Sequence, residues 1–316
     1  EEAGLWKDGM EKRLKAVAGD MSKPGLGFSR SNWDRLAGEL EAIYHVGFVV
    51  NFLFSYEDLR PANVLSYIDI LRLASSVRLK PLHFVSSFSV LLTDEYAGRR
   101  VGERDRLYAG AGGYRQGKRA CEMLSEEARR RGLPVNIYRP PFIGWNSISG
   151  YYNERDFLIK LIRGCLQLGT APDLDVLFYI APVDFISASL VSLSQLKEAT
   201  NGNFNLLTGS YGVSWIDLVE MIRNAGGKLE LEPFEKWRQR LNEAGPGNPL
   251  QIFFPLMGRE VQESGSAVME LFHRRSAPES IDISAMTGLL GVAESRFELN
   301  EKLIRPFVER LKKEKS

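Results

Sequence analysis

A tyrosine and a lysine stand four residues apart in the stretch GGYRQGKRACE, residues 112–122. The stretch has the pattern of a helix, and residues four apart lie on one helix face, so Tyr114 and Lys118 are expected to be neighbours. A free tyrosine has a pKa of about 10 and is a poor proton donor at neutral pH. A lysine ammonium on the same face is expected to lower that pKa. The spacing also occurs by chance in many chains, so its meaning depends on what surrounds it.

Two serines could complete this chemistry. The stretch PLHFVSSFSVLL predicts a buried strand, and Ser86 and Ser87 follow its apolar part. A serine hydroxyl can hydrogen-bond a substrate carbonyl oxygen. Together with Tyr114 and Lys118 it would stabilise the oxyanion that forms when a hydride reaches that carbonyl.

The elements that must position these residues alternate between strands and helices. Strands are predicted at residues 14–20, 42–51, 81–92 and 133–140, with helical patterns between them. This alternation is typical of a doubly wound α/β fold, a parallel sheet covered on both faces. Ligands bind such sheets at the carboxyl ends of the strands. Ser87, Tyr114 and residues 140–144 are expected to meet there, and a smaller, mostly helical lobe is expected after residue 140.

Composition excludes several classes of function. The 316 residues are 44% hydrophobic with a net charge of +1, which gives no reason to expect nucleic acid or a membrane as partner. No apolar run is long enough for a membrane span, and no signal peptide is recognised. Cys121 and Cys165 form neither a metal-ligand spacing nor a disulfide framework, so a reducing, cytoplasmic location is expected and no metal is predicted.

Hydrolysis by a serine triad is also disfavoured. The three histidines, His45, His83 and His273, are scattered along the chain. They suggest no Ser-His-Asp arrangement, and the sequence has no Gly-x-Ser-x-Gly elbow, which counts against a thioesterase.

The stretches FVSSFS, GGYRQGKRACE and IYRPPFIG together resemble an extended short-chain dehydrogenase/reductase. More specifically, the chain is similar to the thioester reductase domains that end some nonribosomal peptide and polyketide synthetases, and to the reductase of aminoadipate reductases. The stretches GDMSKPGLGFSRSNWDRLA, FLIKLIRGCLQLGTAPDL, APVDFISAS and VSWIDLVEMI support this, from about residue 4 to the C terminus.

The resemblance implies a reaction and a partner. In that family NADPH delivers a hydride to an acyl or peptidyl thioester held on the phosphopantetheine arm of a carrier domain. An aldehyde leaves, and some members reduce it further to an alcohol. The resemblance also implies a Rossmann-like cofactor domain in residues 1–140, to which a strand and helix near 183–210 return, and a lobe facing substrate and carrier in residues 141–316.

The resemblance further implies site residues. Ser87 would take the hydroxyl role, Tyr114 would be the proton donor, and Lys118 would tune it and hold the nicotinamide ribose. Asp20 would lie at the adenine edge, Gly47 would face the cofactor through its backbone, Asn63 would orient a water or the active-site helix, and residues 140–143 would cover the nicotinamide. The expected cofactor-binding set is Asp20, Gly47, Asn63, Ser86, Tyr114, Lys118, Pro140, Phe142 and Ile143.

The loop WNSISGYYNERDF, residues 145–157, follows the strand end at which substrate should bind. Its small, polar and aromatic residues predict that Tyr151 or Asn153 lines an acyl channel. An ordinary solvent loop would have a similar composition, so both interpretations stay open.

The chain departs from the family pattern in three respects. It lacks the Gly-x-x-Gly-x-x-Gly turn for the cofactor pyrophosphate and the basic residue for the 2′-phosphate. The match begins one strand–helix–strand unit late, so a central strand is expected to be missing and a strand edge to be unpaired. Gly117 also replaces the usual serine, and Phe48 replaces the usual small residue after Gly47.

Three functions fit these observations. In the first, the given sequence lacks the natural N terminus of an NADPH-dependent reductase, and the retained Ser87, Tyr114 and Lys118 favour it. In the second, a redox-inactive relative releases its chain by Dieckmann-type cyclisation. In the third, the chain is a non-catalytic module that docks a carrier, in which case the basic tail IRPFVERLKKEKS could meet an acidic carrier or could be only a solvated terminus.

Overall fold

The computed structural model describes residues 4–110, 112–209, 211–257, 278–291 and 299–314. The helices are α1 (Arg30–Glu39), α2 (Tyr56–Arg60), α3 (Ser66–Ser75), α4 (Gly113–Arg130), α5 (Phe157–Leu168), α6 (Val183–Gln195), α7 (Trp215–Asn224), α8 (Phe234–Ala244), α9 (Ser284–Leu290) and α10 (Glu301–Glu314). The strands are β1 (Ile43–His45), β2 (Leu82–Val85), β3 (Arg100–Val101), β4 (Val135–Arg139), β5 (Phe142–Ile143), β6 (Thr170–Asp173), β7 (Leu177–Phe178), β8 (Ile180–Ala181), β9 (Asn203–Asn205), β10 (Val213–Ser214), β11 (Glu230–Pro233) and β12 (Ser280–Ile281).

Four parallel strands form the central sheet, in the order β1-β2-β4-β9. All four residues of β2 and all five of β4 are buried, as expected for parallel strands covered on both faces. The α/β class and the parallel sheet predicted from the sequence are confirmed. The remaining strands form two-stranded ladders. One of them, β5 with β8, lies just beyond the end of β4.

The predicted strand at residues 14–20 is wrong. The structure has an extended, mostly exposed segment there between short 3₁₀ turns at Met10–Arg13 and Pro24–Gly27. A strand is stable only when a neighbour satisfies its backbone groups. Among the described residues β1 is the edge strand of the sheet, and residues 14–20 do not pair with it. Tyr44 and Val46, at that edge, are largely exposed.

Two features of the sequence place α4 close to α2. Ser55 caps α2 through a reciprocal capping box with Asp58. A Cβ at Gly113 would overlap the Ser55 backbone, so only glycine allows the first turn of α4 to approach this closely. The chain from α2 to α3 continues through a single π-helical stretch at Pro61–Leu65.

Three apolar clusters form the core. One, which includes Tyr67 and Phe84, lies between the sheet and helices α1, α3 and α4. A second, which includes Phe204, lies under α6 and α9. The third contains Trp215 and Trp237, its buried members lie between Trp145 and Leu311 in the sequence, and Phe52 is among the side chains that pack against it. The third cluster supports a separate lobe after residue 140, whereas the second joins Ile281, Ile283 and Met286 to side chains that precede residue 140. The division stays a proposal.

None of the described helices combines the length and apolarity that crossing a membrane requires.

Candidate active site

The carboxyl ends of β1, β2 and β4 lie at one edge of the sheet because the strands are parallel. Ser86 and Ser87 follow β2, and α4 packs against the 3₁₀ turn at Phe88–Leu91 that comes next. The Phe88 N–H donates to Pro140 O at 2.9 Å, which ties the end of β2 to the end of β4. The structure therefore gathers Ser87, Tyr114 and the residue after β4 in one region.

Tyr114 is half-buried between two phenylalanine rings. The centroids of Phe48 and Phe52 lie 5.6 and 5.8 Å from the Tyr114 centroid, both in edge arrangements. Burial raises the pKa of Tyr114 to about 12, a hydrogen bond with Ser87 opposes the rise, and the charge of Asp156 adds to it. The phenol is therefore protonated at neutral pH and is held next to the Ser87 hydroxyl.

Ser87 sits at the centre of a short hydroxyl chain. Its Oγ lies 2.9 Å from Ser89 Oγ and accepts a hydrogen bond from the Ser89 N–H at 3.2 Å. The Ser87 hydroxyl therefore has the Ser89 backbone N–H on one side and Tyr114 on the other, and these neighbours fix its orientation. Two hydroxyl groups, on Ser87 and Tyr114, can thus be directed at one substrate oxygen.

Lys118 is buried, with 3% of its surface exposed. Its ammonium donates to Val85 O at 2.8 Å and lies 3.7 Å from the centre of the Phe48 ring. Burial lowers the pKa of Lys118 to about 7, although Cys121 and Glu122 act in the opposite direction. The expectation that Lys118 lowers the pKa of Tyr114 is wrong for this structure, because the ammonium is engaged by Val85 and Phe48 while burial raises the tyrosine pKa.

A buried ion pair behind the serines was not anticipated from the sequence. Arg139, at the end of β4, donates to both carboxylate oxygens of Glu122, at 3.0 and 2.7 Å. The Ser86 hydroxyl donates to the same carboxylate at 2.5 Å, so its side chain is committed to the interior. Arg139 also donates to Glu103 O, and burial raises the pKa of the Glu103 carboxyl to about 7. The available signal was the position of Glu122, four residues after Lys118.

Asp20 and Gly47 lie on adjacent segments beyond the end of β1. A Cβ at Gly47 would lie 3.1 Å from Met21 Sδ, so the backbone of this turn packs closely on the residue after Asp20. The Asp20 carboxylate accepts from the N–H and hydroxyl of Ser22 at 2.9 and 2.6 Å. These hydrogen bonds lower the pKa of Asp20.

Asn63 is fully buried and holds the loop after β1. Its amide accepts from the Val49 N–H at 2.8 Å and donates to Val49 O at 3.0 Å. The backbone carbonyl oxygen of Asn63 accepts a hydrogen bond from the Cys121 thiol on α4 at 3.6 Å. The side chain therefore orients the loop, and the backbone makes the contact with the active-site helix.

Phe142 and Ile143 form β5 and pair with Ile180 and Ala181. The Phe142 ring lies 6.4 Å from Phe157 and 5.8 Å from Phe178, at the boundary with the helical lobe.

Tyr151 and Asn153 contact other parts of the helical lobe. The Arg310 guanidinium of α10 lies 5.2 Å from the centre of the Tyr151 ring, and Asn153 Oδ1 accepts from the Arg155 N–H. Within the described ranges neither residue hydrogen-bonds or stacks with Ser87, Tyr114 or Lys118. Their role in an acyl channel stays a prediction.

The histidines occupy structural positions. His45 is buried against Tyr67 and Phe84, its Nε2 has no hydrogen-bond partner, and burial lowers its pKa to about 4. His83 Nδ1 lies 3.0 Å from the Tyr138 hydroxyl, and His273 lies outside the described residues.

The part of the chain that the structure describes contains no group of three or more histidine, cysteine or acidic residues that could hold a metal.

The residues present fit one half of a nicotinamide dinucleotide. Ser87, Tyr114 and Lys118 carry the hydroxyl and ammonium groups that could donate to a carbonyl and a ribose. Residues 4–110 do not include a glycine-rich turn between a strand and a helix, so they provide no pyrophosphate cradle of that kind.

Comparison with known proteins identifies the family. A model of an NAD-binding family, described as male sterility protein, matches residues 1–190. A linear gramicidin synthase polypeptide of Brevibacillus parabrevis is 34% identical over 76% of this chain, and the L-2-aminoadipate reductase large subunit of Penicillium chrysogenum is 31% identical over 90%. The chain spans only 5% and 21% of those two proteins.

Solved structures agree with this assignment. The terminal R domain from the myxalamid PKS-NRPS biosynthetic pathway superposes with a TM-score of 0.85 at 32% identity, covering 99% of this chain and 78% of that one. A thiolation-reductase di-domain from an archaeal nonribosomal peptide synthetase has a TM-score of 0.74 at 18% identity, covering 99% of this chain and 66% of that one, which shows the shared fold. The chain therefore belongs to the NAD-binding male sterility family and, within it, to the reductase domains of nonribosomal peptide and polyketide synthetases, which are extended short-chain dehydrogenase/reductases.

Proposed function

We propose that this chain catalyses the NADPH-dependent reductive release of an acyl or peptidyl thioester as an aldehyde. The observation that carries the proposal is the arrangement of Ser87, Tyr114 and Lys118 at the carboxyl edge of the sheet, in a member of the reductase-domain family. The relatives named above are synthetases and aminoadipate reductases, which supports a thioester as the substrate.

The two hydroxyl groups would bind the thioester carbonyl oxygen. The Ser87 hydroxyl acts directly on the pKa of Tyr114, so the two hydroxyl groups are near enough to reach one acceptor. Tyr114 is protonated at neutral pH because its pKa is about 12. It would hydrogen-bond the carbonyl oxygen and give up its proton as an alkoxide forms there, because an alkoxide is a stronger base than a phenolate with this pKa.

Lys118 would stabilise the same charge from the interior of the site. A buried cation in a region of low polarity acts on a developing oxyanion more strongly than it would in water. Lys118 and Tyr114 would hold the nicotinamide ribose, with Asp20 and Gly47 toward the adenine edge and residues 140–143 over the nicotinamide. When bound, the nicotinamide would supply the hydride that, with the proton from Tyr114, reduces the thioester to a hemithioacetal. Cleavage of its C–S bond then releases the phosphopantetheine thiol and the aldehyde.

The partner in this proposal is a carrier domain that presents the acyl group on phosphopantetheine. A thiolation-reductase di-domain is among the structures that share the fold, and the long relatives are multidomain synthetases. Lys312 and Lys313 make the end of α10 positively charged, and the Lys312 ammonium also donates to Ala225 O at 3.2 Å.

Turnover of an acyl-pantetheine thioester tests the proposal. We expect stoichiometric NADPH oxidation and a hydrazone from trapped aldehyde, with Tyr114→Phe slowed about 10²–10⁴-fold. Tyr108→Phe, outside the gathered residues, is the matched control and should keep wild-type rates. Release of a cyclised product without NADPH oxidation would replace this function with Dieckmann-type cyclisation, and no release at all would favour a docking module.

A further inference from the structure

Phe48 lies at the point where β1 ends and its ring reaches into the candidate site. It follows Gly47 and is half-buried, although the residues on either side of it are exposed. The ring faces Lys118, with the ammonium 3.7 Å from the ring centre, and presents an edge arrangement to Tyr114 at 5.6 Å and 89°. One aromatic side chain thus contacts both members of the pair.

The Phe48 ring packs directly against Gly117. A Cβ at Gly117 would already be in van der Waals contact with Phe48, 3.4 Å from Cζ. A longer side chain on that face of α4 would compete with the ring for its position. Phe48 and Gly117 are therefore complementary, and both are departures from the family pattern noted in the sequence.

We propose that Phe48 is a positioning residue for Lys118, whose ring face holds the ammonium at the end of β2 while its edge supports Tyr114. The ring quadrupole attracts a cation placed over its face, and the attraction is largest where water is excluded. Val85 O supplies the opposing contact at 2.8 Å, so the ammonium lies between a carbonyl and a ring. The relevance of this contact to catalysis rests on the proposed function, whereas the contact itself can be measured without cofactor or substrate.

Four titratable groups lie against Lys118, and two carboxyl groups beyond them titrate within or at the edge of pH 6–9: Glu103, with a pKa of about 7, and Asp156, with a pKa of about 6. The titratable groups that face it are His45 on β1 and Tyr114, Cys121 and Glu122 on α4. The pKa values of His45, Tyr114 and Cys121 are about 4, 12 and 12, outside the range pH 6–9. Glu122 is ion-paired with Arg139.

Three substitutions separate an electrostatic role of Phe48 from simple filling of space. Phe48→Leu keeps the site dry but removes the ring face, so the charged form of Lys118 loses stabilisation and its pKa should fall by about 0.4–1.5 pH units. Phe48→Ala opens the site to water, so the pKa should rise toward the solution value. Phe48→Tyr keeps the face and should leave the pKa unchanged.

The experiment is a pH titration of the chain labelled with [ε-¹³C]lysine, followed by ¹H–¹³C NMR. The Lys118 signal is the one that is missing in Lys118→Arg. Phe28→Leu is the matched control, because Phe28 packs against the same apolar cluster but not against Lys118. In this variant the pKa of Lys118 should equal the wild-type value. A Lys118 pKa that is unchanged or raised in Phe48→Leu would overturn the proposal, as would an equal fall in Phe28→Leu. Failure of the reductase assay alone would overturn the proposed function and leave this contact standing.

Discussion

Ser86 and Glu122 are joined by a 2.5 Å hydrogen bond between the serine hydroxyl and the carboxylate, which links the carboxyl end of β2 to the middle of α4. The same carboxylate receives the Arg139 guanidinium from the end of β4, and both members of this ion pair are 2% exposed at the side chain. The two strand ends and the helix that carries Tyr114 therefore share one buried anchor. Because Ser86, the residue before Ser87, is bound to this anchor, the ion pair helps to hold Ser87 in place relative to α4.

Removing one partner of this ion pair should strongly destabilise the fold. In Glu122→Gln the Arg139 charge stays buried without a counter-charge, so the free energy of unfolding should fall by about 3–5 kcal/mol. Glu127→Gln, on an exposed part of the same helix, removes ion pairs with Arg130 and Arg131 that water screens, so its loss of stability should be much smaller. Urea unfolding of both variants measures the difference, and equal losses would contradict a buried anchor.

Burial of Lys118 should appear in the pH dependence of stability. The folded pKa is about 7 and the ordinary lysine value is 10.5, so between these values the unfolded chain binds the proton and the folded chain does not. Stability therefore rises with pH in that window, by about 1.4 kcal/mol per pH unit from this group.

Lys118→Met isolates this contribution because it removes the titrating group and keeps an apolar side chain of similar length. The difference in free energy of unfolding, wild type minus Lys118→Met, should be flat below pH 7 and increase from pH 7 to 10. A constant difference across that range would show that Lys118 is not buried as described.

Activity should have the opposite pH dependence. If the ammonium of Lys118 stabilises the oxyanion, kcat/KM should fall above pH 7 as that ammonium loses its proton, approaching tenfold per pH unit. Tyr114 should not limit the profile below pH 9, because its pKa is about 12. Initial rates of NADPH oxidation from pH 6 to 9 measure this, and a flat profile would exclude an essential ammonium with this pKa.

The loop after β1 should depend on Asn63. In Asn63→Ala the buried amide no longer satisfies both backbone groups of Val49, and the free energy of unfolding should fall by about 1–3 kcal/mol. Asn51→Ala in the same loop is the control, since its hydrogen bonds to Leu53 and Phe54 are exposed and water can replace them. Thermal unfolding compares the two, and a larger loss in Asn51→Ala would contradict the role given to Asn63.

Local patterns predicted the elements better than they predicted the contacts between them. The helix predicted around Tyr114 and Lys118 is present and extends from Gly113 to Arg130, because its period and its terminal cations are local signals. Residues 14–20 looked like a strand, but strand formation depends on a partner that apolar character alone does not reveal. The four-residue spacing placed Lys118 on the face of Tyr114, yet the direction of its ammonium is set by Phe48 and Val85, which are distant in sequence. The pairing of Glu122 with Arg139 is hidden for the same reason.

Binding of NADPH to the 316-residue chain tests the central claim, that these residues form a nicotinamide cofactor site. Isothermal titration calorimetry with NADPH, with NADH and with the Lys118→Met variant separates specific binding from adsorption. The account predicts saturable micromolar binding of NADPH that is weakened in Lys118→Met. Absence of binding at millimolar NADPH, with the wild-type chain shown to be folded, would contradict the proposed reductase function for this chain.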